Sequence, residues 1–486
     1  VSRKVAHNAL WNVGGTLASL GVGLLALPVL LHALGETRMG VFTLALGLIG
    51  FSGLLDLGLG RALTQTVASS LGSGRPRAAV AALVWHVLRL LALAGVAWAA
   101  LLWCLMPWVA EHLFHLQGPL KAETVFGLRM VALSLPFALV ATGAMGALEG
   151  IQAFRRVSTL RALLSVAQFG LPTLAVLLKP DVGWAVAALA ASRALSMTVW
   201  LYGLRCEFSR ETTVAHAPED LRHLLRFGGW LSLSNVIGPL MVYADRFYLA
   251  TVLAPAQVAY YAVPYDAVFR VTSLPMTALN ALFPALAEAR HETARTASLL
   301  VAAMRAMVAL LLPPVVLAIA FATTLLTFWL GAGFAEHAAH IFQWLLLGVL
   351  VNSCAHVPYA ALQAEGRADL TARLHLLELP LFAVFLVGSV WRWGVEGAAI
   401  AWALRVSLDA LLLYISAWRL QLALRAAWTS GIWLLLIAAG VALMALGLQP
   451  LALRLALAIG VCAICGWQLL RLIRQWRQSD TRHLTA

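Results

Sequence analysis

Residues 79–106 read AVAALVWHVLRLLALAGVAWAALLWCLM, a run with one charged residue, Arg89. A helix rises 1.5 Å per residue, so a run of this length covers the hydrocarbon core of a bilayer, ~30 Å, with residues to spare. Inside lipid every backbone N–H and C=O must be bonded within the segment, and a helix does this alone. Arg75 and Arg77 stand immediately before the run, where water and headgroups begin. The same alternation of apolar block and short charged connection continues in both directions. It predicts spans at 9–33, 40–68, 79–106, 124–149, 158–178, 182–204, 226–251, 257–288, 296–330, 338–364, 371–390, 394–418, 429–447 and 451–473. The expected fold is therefore all-α and polytopic, with about fourteen transmembrane helices.

Composition agrees. The chain has 486 residues, 62% hydrophobic and 11% charged, with mean hydropathy +0.87. Soluble domains carry about 25% charged residues, so a water-soluble core is excluded. The net charge of +13 does not indicate nucleic acid, because the cations fall mostly in alternate connections rather than on one soluble face. With a cytoplasmic N-terminus, the inner ends receive 21 Lys and Arg, from Arg3 and Lys4 to Arg477 and Arg482. The outer connections receive four: Arg38, Lys121, Lys179 and Arg392. This bias places both termini inside and requires an even number of spans. Trp103, Trp108, Trp329, Trp391 and Trp393 fall near outer ends, where indole rings favour the interface. The first apolar run exceeds the 7–15 residues of a signal-peptide core and reads as a retained helix.

A weak internal repeat organises the spans. Trp11, Leu34 and Phe42 correspond to Trp230, Leu253 and Tyr261, and Val182, Gly183 and Arg193 to Gly394, Val395 and Arg405. The pattern predicts an N-terminal lobe over 1–204, a cytoplasmic linker over 205–225, a second lobe over 226–419, and a terminal pair of helices with a basic tail over 420–486. No connection is long enough for an extramembrane domain.

The informative residues are the charges left inside spans: Asp56, Arg61, Arg89, Arg129, Arg193, Asp245, Arg246, Asp266, Arg270, Arg305, Glu378, Arg405, Asp409 and Arg454. A charge at a helix centre costs ~2.5–3.5 kcal/mol on insertion scales, so each is expected to meet a partner or a wet cavity. Arg129, Arg193 and Arg454 are expected to snorkel to the interface. Asp266 with Arg270, and Arg405 with Asp409, share helix faces at i,i+4 spacing. One reading makes such pairs structural ion bridges. The other makes Arg61, Arg246, Arg270, Arg305 and Arg405 the lining of a cationic substrate cavity, since the planar guanidinium suits phosphate. Asp56, Asp245, Asp266 and Asp409 are then candidates for a coupling H⁺ or Na⁺. Prolines at 28, 136, 172, 239, 264, 275, 313, 314 and 380 predict kinked spans, and Gly47, Gly50, Gly53, Gly143 and Gly146 predict close helix contacts.

Other chemistry is unsupported. There is no P-loop and no HExxH spacing, and no metal or organic cofactor is expected. His32, His112, His115, His337 and His356 are read as loop and interface residues. Cys462 and Cys465 form a CxxC inside a span and are read as packing residues. No enzyme activity is expected.

Short motifs along the chain resemble those of the polysaccharide flippases of the multidrug/oligosaccharidyl-lipid/polysaccharide (MOP) superfamily, the Wzx-like O-antigen and exopolysaccharide exporters. They are Asn8 and Trp11, Pro28, Leu34-Gly35 with Gly40, and above all Asp56-Leu57-Gly58-Leu59-Gly60. Gly229-Trp230, Asp245, Tyr260-Tyr261, Leu282-Phe283-Pro284, Gly366-Arg367 and Gly394-Val395-Glu396-Gly397-Ala398-Ala399 follow. Met39 departs from the aromatic residue common before Gly40. The resemblance implies a V-shaped, two-lobed fold of the MATE type with a central cationic cavity. It also implies transfer of an undecaprenyl-diphosphate-linked oligosaccharide from the cytoplasmic to the periplasmic leaflet of the bacterial inner membrane. Partners implied are that lipid-linked glycan, membrane lipids, and a glycan polymerase with its chain-length proteins.

Rival readings are a lipid II flippase, a multidrug antiporter, and an integral-membrane glycan polymerase or ligase. Cationic drugs would favour an acidic cavity over this arginine-rich one. A polymerase would need a large outer loop, which the short connections oppose.

Overall fold

The computed structural model describes residues 3–51, 55, 59–208, 241–271, 286, 289, 292–448 and 450–484. All of its regular elements are helical. They are α1 (Arg3–Gly50), α2 (Leu59–Gly72), α3 (Arg77–Trp108), α4 (Gly118–Gly150), α5 (Phe154–Leu178), α6 (Val182–Glu207), α7 (241–252) and α8 (Pro255–Val271). There follow α9 (Thr293–Ala320), α10 (Ala322–Leu330), α11 (Ala332–Ala364), α12 (Ala368–Leu420), α13 (Arg425–Gly447) and α14 (Leu451–Leu484). Ten helices among the described residues are long and apolar enough to cross a membrane.

Two of these helices break within their length without a loop. α12 carries a 52-residue apolar span, more than twice what one crossing needs. It breaks at Gly394 (φ 58°, ψ −139°). α1 breaks the same way at Gly35 (φ 75°, ψ 167°). Both conformations belong to glycine, because a Cβ would clash with the backbone. The Gly35 break falls between the first and second predicted spans, and the Gly394 break on the first residue of the twelfth. Asp181 starts α6: its carboxylate accepts from the backbone N–H groups of Gly183 at 2.7 Å and Trp184 at 3.2 Å. Pro28, Pro136, Pro172, Pro313, Pro314 and Pro380 lie inside helices, as expected. Pro239 and Pro275 lie outside the described residues.

The chain divides into two compact units, 1–263 and 264–486. The stretch expected to link two lobes, 205–225, lies largely outside the described residues, which resume at 241. In the first unit the span of α4 is 72% buried, and in the second that of α11 is 83% buried, well above their neighbours. The fourth crossing of each predicted half is thus the central post of its unit. Around α4, Leu63, Val67, Val84, Leu88, Leu139, Leu148 and Trp200 form one apolar cluster. Around α11, Trp402 lies against Gly348, where a Cβ would come within 2.4 Å of its ring.

Small residues set these contacts. A Cβ on Gly146 would lie 2.5 Å from the carbonyl oxygen of Gly60, and one on Gly143 would lie 2.5 Å from the Leu91 side chain. Gly47 and Gly50 face Phe247 and Tyr243 of α7. Gly53 lies outside the described residues. Backbone oxygen cannot move aside as a side-chain tip can. Gly146→Val should therefore cost about 1–3 kcal/mol by overpacking and lower the thermal midpoint of the purified protein in detergent. Gly170→Ala, with nothing within 4 Å of the new methyl, should not lower that midpoint, since alanine also favours the helix.

Candidate functional site

Three polar arrangements interrupt the apolar packing. The first is on α7. Asp245 is 0% and Arg246 1% exposed. As neighbours on a helix they point apart. The Asp245 carboxylate accepts a short hydrogen bond from the Tyr261 hydroxyl of α8 and a 2.7 Å bond from the Arg246 backbone N–H. The Arg246 guanidinium lies 5.5 Å from the centre of the Tyr243 ring. From the residue before Tyr261, the Tyr260 hydroxyl donates to Glu36, just past the Gly35 break.

The second is a cavity of about 200 Å³ between α4, α5 and α6. Thr142, Arg161, Ser165, Gln168, Arg193, Ser196 and Trp200 line it. The Thr142, Ser165 and Ser196 hydroxyls donate to carbonyls of their own helices at 3.0, 2.7 and 2.8 Å, so their remaining lone pairs accept. Arg161 is held at 2.6 Å by Glu149. The buried Nε of Arg193 has no hydrogen-bond partner among the described residues. Arg193 was expected to snorkel. It sits near the middle of α6 and lines the cavity between α4, α5 and α6. Donors from arginine and glutamine, acceptors from hydroxyls, and an indole wall suit a polar anionic ligand such as a phosphorylated or acidic sugar.

The third lies in the second unit, where α11 meets the two legs of α12. His375 Nε2 stands 3.8 Å from Asp409 Oδ1. Glu378, 0% exposed, interacts with Asp409 and Arg405. The Arg405 guanidinium lies 5.5 Å from the centre of the Phe382 ring. The His375 ring stacks on Tyr359 of α11 at 6.4 Å. His356, one turn away, donates from Nδ1 to the Asn352 carbonyl at 2.7 Å and interacts with Asp409. His356 was read as a loop or interface residue. It lies inside α11 because that helix runs unbroken through the unit.

The remaining sequence candidates are dispersed. Arg61 on α2 and Arg305 on α9 are exposed; Asp266 and Arg270 on α8 are half-buried; Asp56 lies outside the described residues. Arg405 and Asp409, which share a face, take different partners rather than each other. Arg129 rests over the Trp103 ring at 5.2 Å. Arg454 donates to the Leu448 and Ala320 carbonyls at 2.6 and 3.1 Å, satisfying open helix ends. Glu378, His375 and Gln168 were missed as site residues. The signal for the first two was present: His375, Glu378 and Phe382 recur at i, i+3 and i+7, one helix face.

Long apolar helices in two units, broken at glycines and carrying buried charge, define a polytopic transporter fold. The solved structures it resembles agree. A lipid II flippase, MurJ, in an inward closed conformation aligns with TM-score 0.73 at 12% identity, over 95% of this chain and 99% of that one. An inward-facing multidrug resistance MATE family transporter of the MOP superfamily aligns with TM-score 0.67 at 15% identity, over 86% of this chain and 98% of that one. The particular family follows from sequence. The model for the polysaccharide biosynthesis protein family matches residues 5–290, and the chain belongs to that family. A Shigella flexneri protein named as an O-antigen transporter is 28% identical over 412 residues, 84% of this chain and 97% of the relative.

The Asp245–Tyr261 bond gives a test of coupling between α7 and α8. Asp245→Asn and Tyr261→Phe should each destabilise the purified protein, and the double variant should fall short of additivity by about 1 kcal/mol or more, as expected for groups in direct contact. Unfolding in mixed detergent micelles measures it.

Proposed function

We propose that this protein is a flippase that moves a polyprenyl-diphosphate-linked oligosaccharide across the bacterial inner membrane. The product would serve O-antigen, capsule or exopolysaccharide assembly and pass to a glycan polymerase. The observation that carries this reading is the Arg193 cavity: a guanidinium with an uncommitted buried donor, among hydroxyls and an indole, near the middle of an apolar helix. The family membership and the named transporter relative support it. In this reading the glycan or diphosphate occupies polar space between helices while the prenyl chain stays in lipid. The 21-to-4 distribution of cations supports cytoplasmic termini.

Only a ligand with different affinity for two conformations can shift the balance between them, and an ion gradient supplies the bias for repeated cycles. Asp56, Asp245, Asp266 and Asp409 are the proposed ion-coupling carboxylates. Arg61, Arg246, Arg270, Arg305 and Arg405 are proposed as further headgroup contacts, each testable by charge removal.

A lipid II reading has one observation in its favour, the alignment over 95% of the chain with a lipid II flippase. Both substrates carry the same diphosphate, so one assay separates them. Protein in liposomes is given a fluorescent polyprenyl-diphosphate oligosaccharide or fluorescent lipid II, and flipping is read by quenching from outside. Faster flipping of the oligosaccharide is expected; exclusive flipping of lipid II would overturn the proposal. Arg193→Ala removes a charge-assisted contact of about 1.5–3 kcal/mol and should slow oligosaccharide flipping roughly tenfold to a hundredfold. An unchanged rate would remove Arg193 from the substrate path.

A further inference from the structure

We infer that Glu378, Asp409 and His375 form a proton-loading site inside the second unit, with the proton held between the two carboxyl groups and exchanged with water through the imidazole. The inference rests on the flippase reading only for its role in coupling; the proton site itself stands on geometry.

The geometry is that of two acids with one compensating cation. Glu378 is fully buried, and the one polar side chain its carboxyl group meets as a hydrogen-bond partner is another acid, Asp409. Asp409 Oδ1 is likewise buried. A buried ionised carboxylate with no donor is among the least stable arrangements a membrane-spanning helix can hold. Two interacting carboxylates cannot both be ionised cheaply, and sharing one proton relieves both problems. Arg405 faces the pair from the second leg of α12, so Asp409 ionised and Glu378 neutral leaves the cluster balanced.

Every element packed around the pair bears on it. The first leg of α12 supplies His375 and Glu378; the second supplies Arg405 and Asp409; α11 supplies His356 and Tyr359. α8 packs on the second leg through Tyr265 against Trp402 and carries half-buried Asp266 and Arg270. Of the groups on α11 and α12, His375 has the exposure to meet water, its side chain being 35% accessible. The path is then water to His375 Nδ1, release of the Nε2 proton of the imidazolium to Asp409 Oδ1 across the 3.8 Å gap, and Asp409 to Glu378, after which the ring returns to its starting tautomer. Each transfer moves one proton and no electrons. Loading turns a charged cluster into a neutral one, which changes the cost of opening the α11–α12 seam to water.

The test reads the proton directly. Infrared difference spectra of the purified full-length protein, recorded while pH is stepped, should show the C=O stretch of a protonated carboxylic acid that appears and disappears as the site loads and unloads. Glu378→Gln should abolish that band. Asp409→Asn and His375→Gln should shift its pH midpoint and its exchange rate respectively, which keeps the test open if the first variant does not fold. An identical band in folded Glu378→Gln protein would overturn the site. In liposomes an imposed pH gradient should accelerate wild-type oligosaccharide flipping at least severalfold and leave Glu378→Gln indifferent. Acceleration by a sodium gradient at constant pH would overturn a proton as the ligand. If wild type flips no oligosaccharide, the substrate reading fails while the infrared result still decides the proton site.

Discussion

Lipid gives the peptide backbone nothing to bond to, and the rest of this structure follows from that requirement. Each crossing must satisfy its own N–H and C=O groups, so the chain is helix nearly wherever it is described, and its turns are compressed to the least backbone possible. At Gly35 and Gly394 the compression is complete: one residue in a conformation reserved for glycine breaks the helix with no loop. Because these breaks fix the register of their two legs, they also decide which distant side chains meet. The Gly394 break brings Glu378 on one leg beside Arg405 and Asp409 on the other.

Much of the fold was legible. Apolar length alone finds crossings, because hydropathy does not depend on knowing which neighbour a helix packs against. The glycines at 47, 50, 143 and 146 were also readable, since close helix approach demands a residue with no side chain. The site was less legible, and for a reason of dimension. Arg405 and Asp409 sit four apart on one helix, and sequence spacing says they can pair. It does not say that a histidine and a ring from the other leg, His375 and Phe382, offer better-placed partners. Arg193 shows the same limit. A lone arginine in a span could snorkel, and only the placement of α4 and α5 beside it makes a cavity at that depth.

The two units use buried charge differently. In the first, Asp245 is satisfied by donors from Tyr261 and its own helix, and the arginines at 161 and 193 border open space. In the second, acids outnumber the cation that faces them, and the surplus falls on a residue whose hydrogen-bond partner is another acid. A polar cavity that can hold an anion and a carboxyl pair that can hold a proton are complementary tools for a carrier, and each is built from helices of a single unit.

One further consequence concerns the end of the first unit that carries Arg38, Lys121 and Lys179. Arg38 grips Glu123 through two bonds of 2.7 Å, Lys121 meets Glu111 at 2.8 Å, and Lys179 meets Asp181 at 3.6 Å. Each of those three cations already has a carboxylate beside it, which offsets its charge and weakens its pull on an arriving anion. Arg193, at mid-depth, has a donor to spare. If the protein carries the diphosphate-linked substrate proposed above, its headgroup would be held more firmly beside Arg193 than at that end, and release would be easier there.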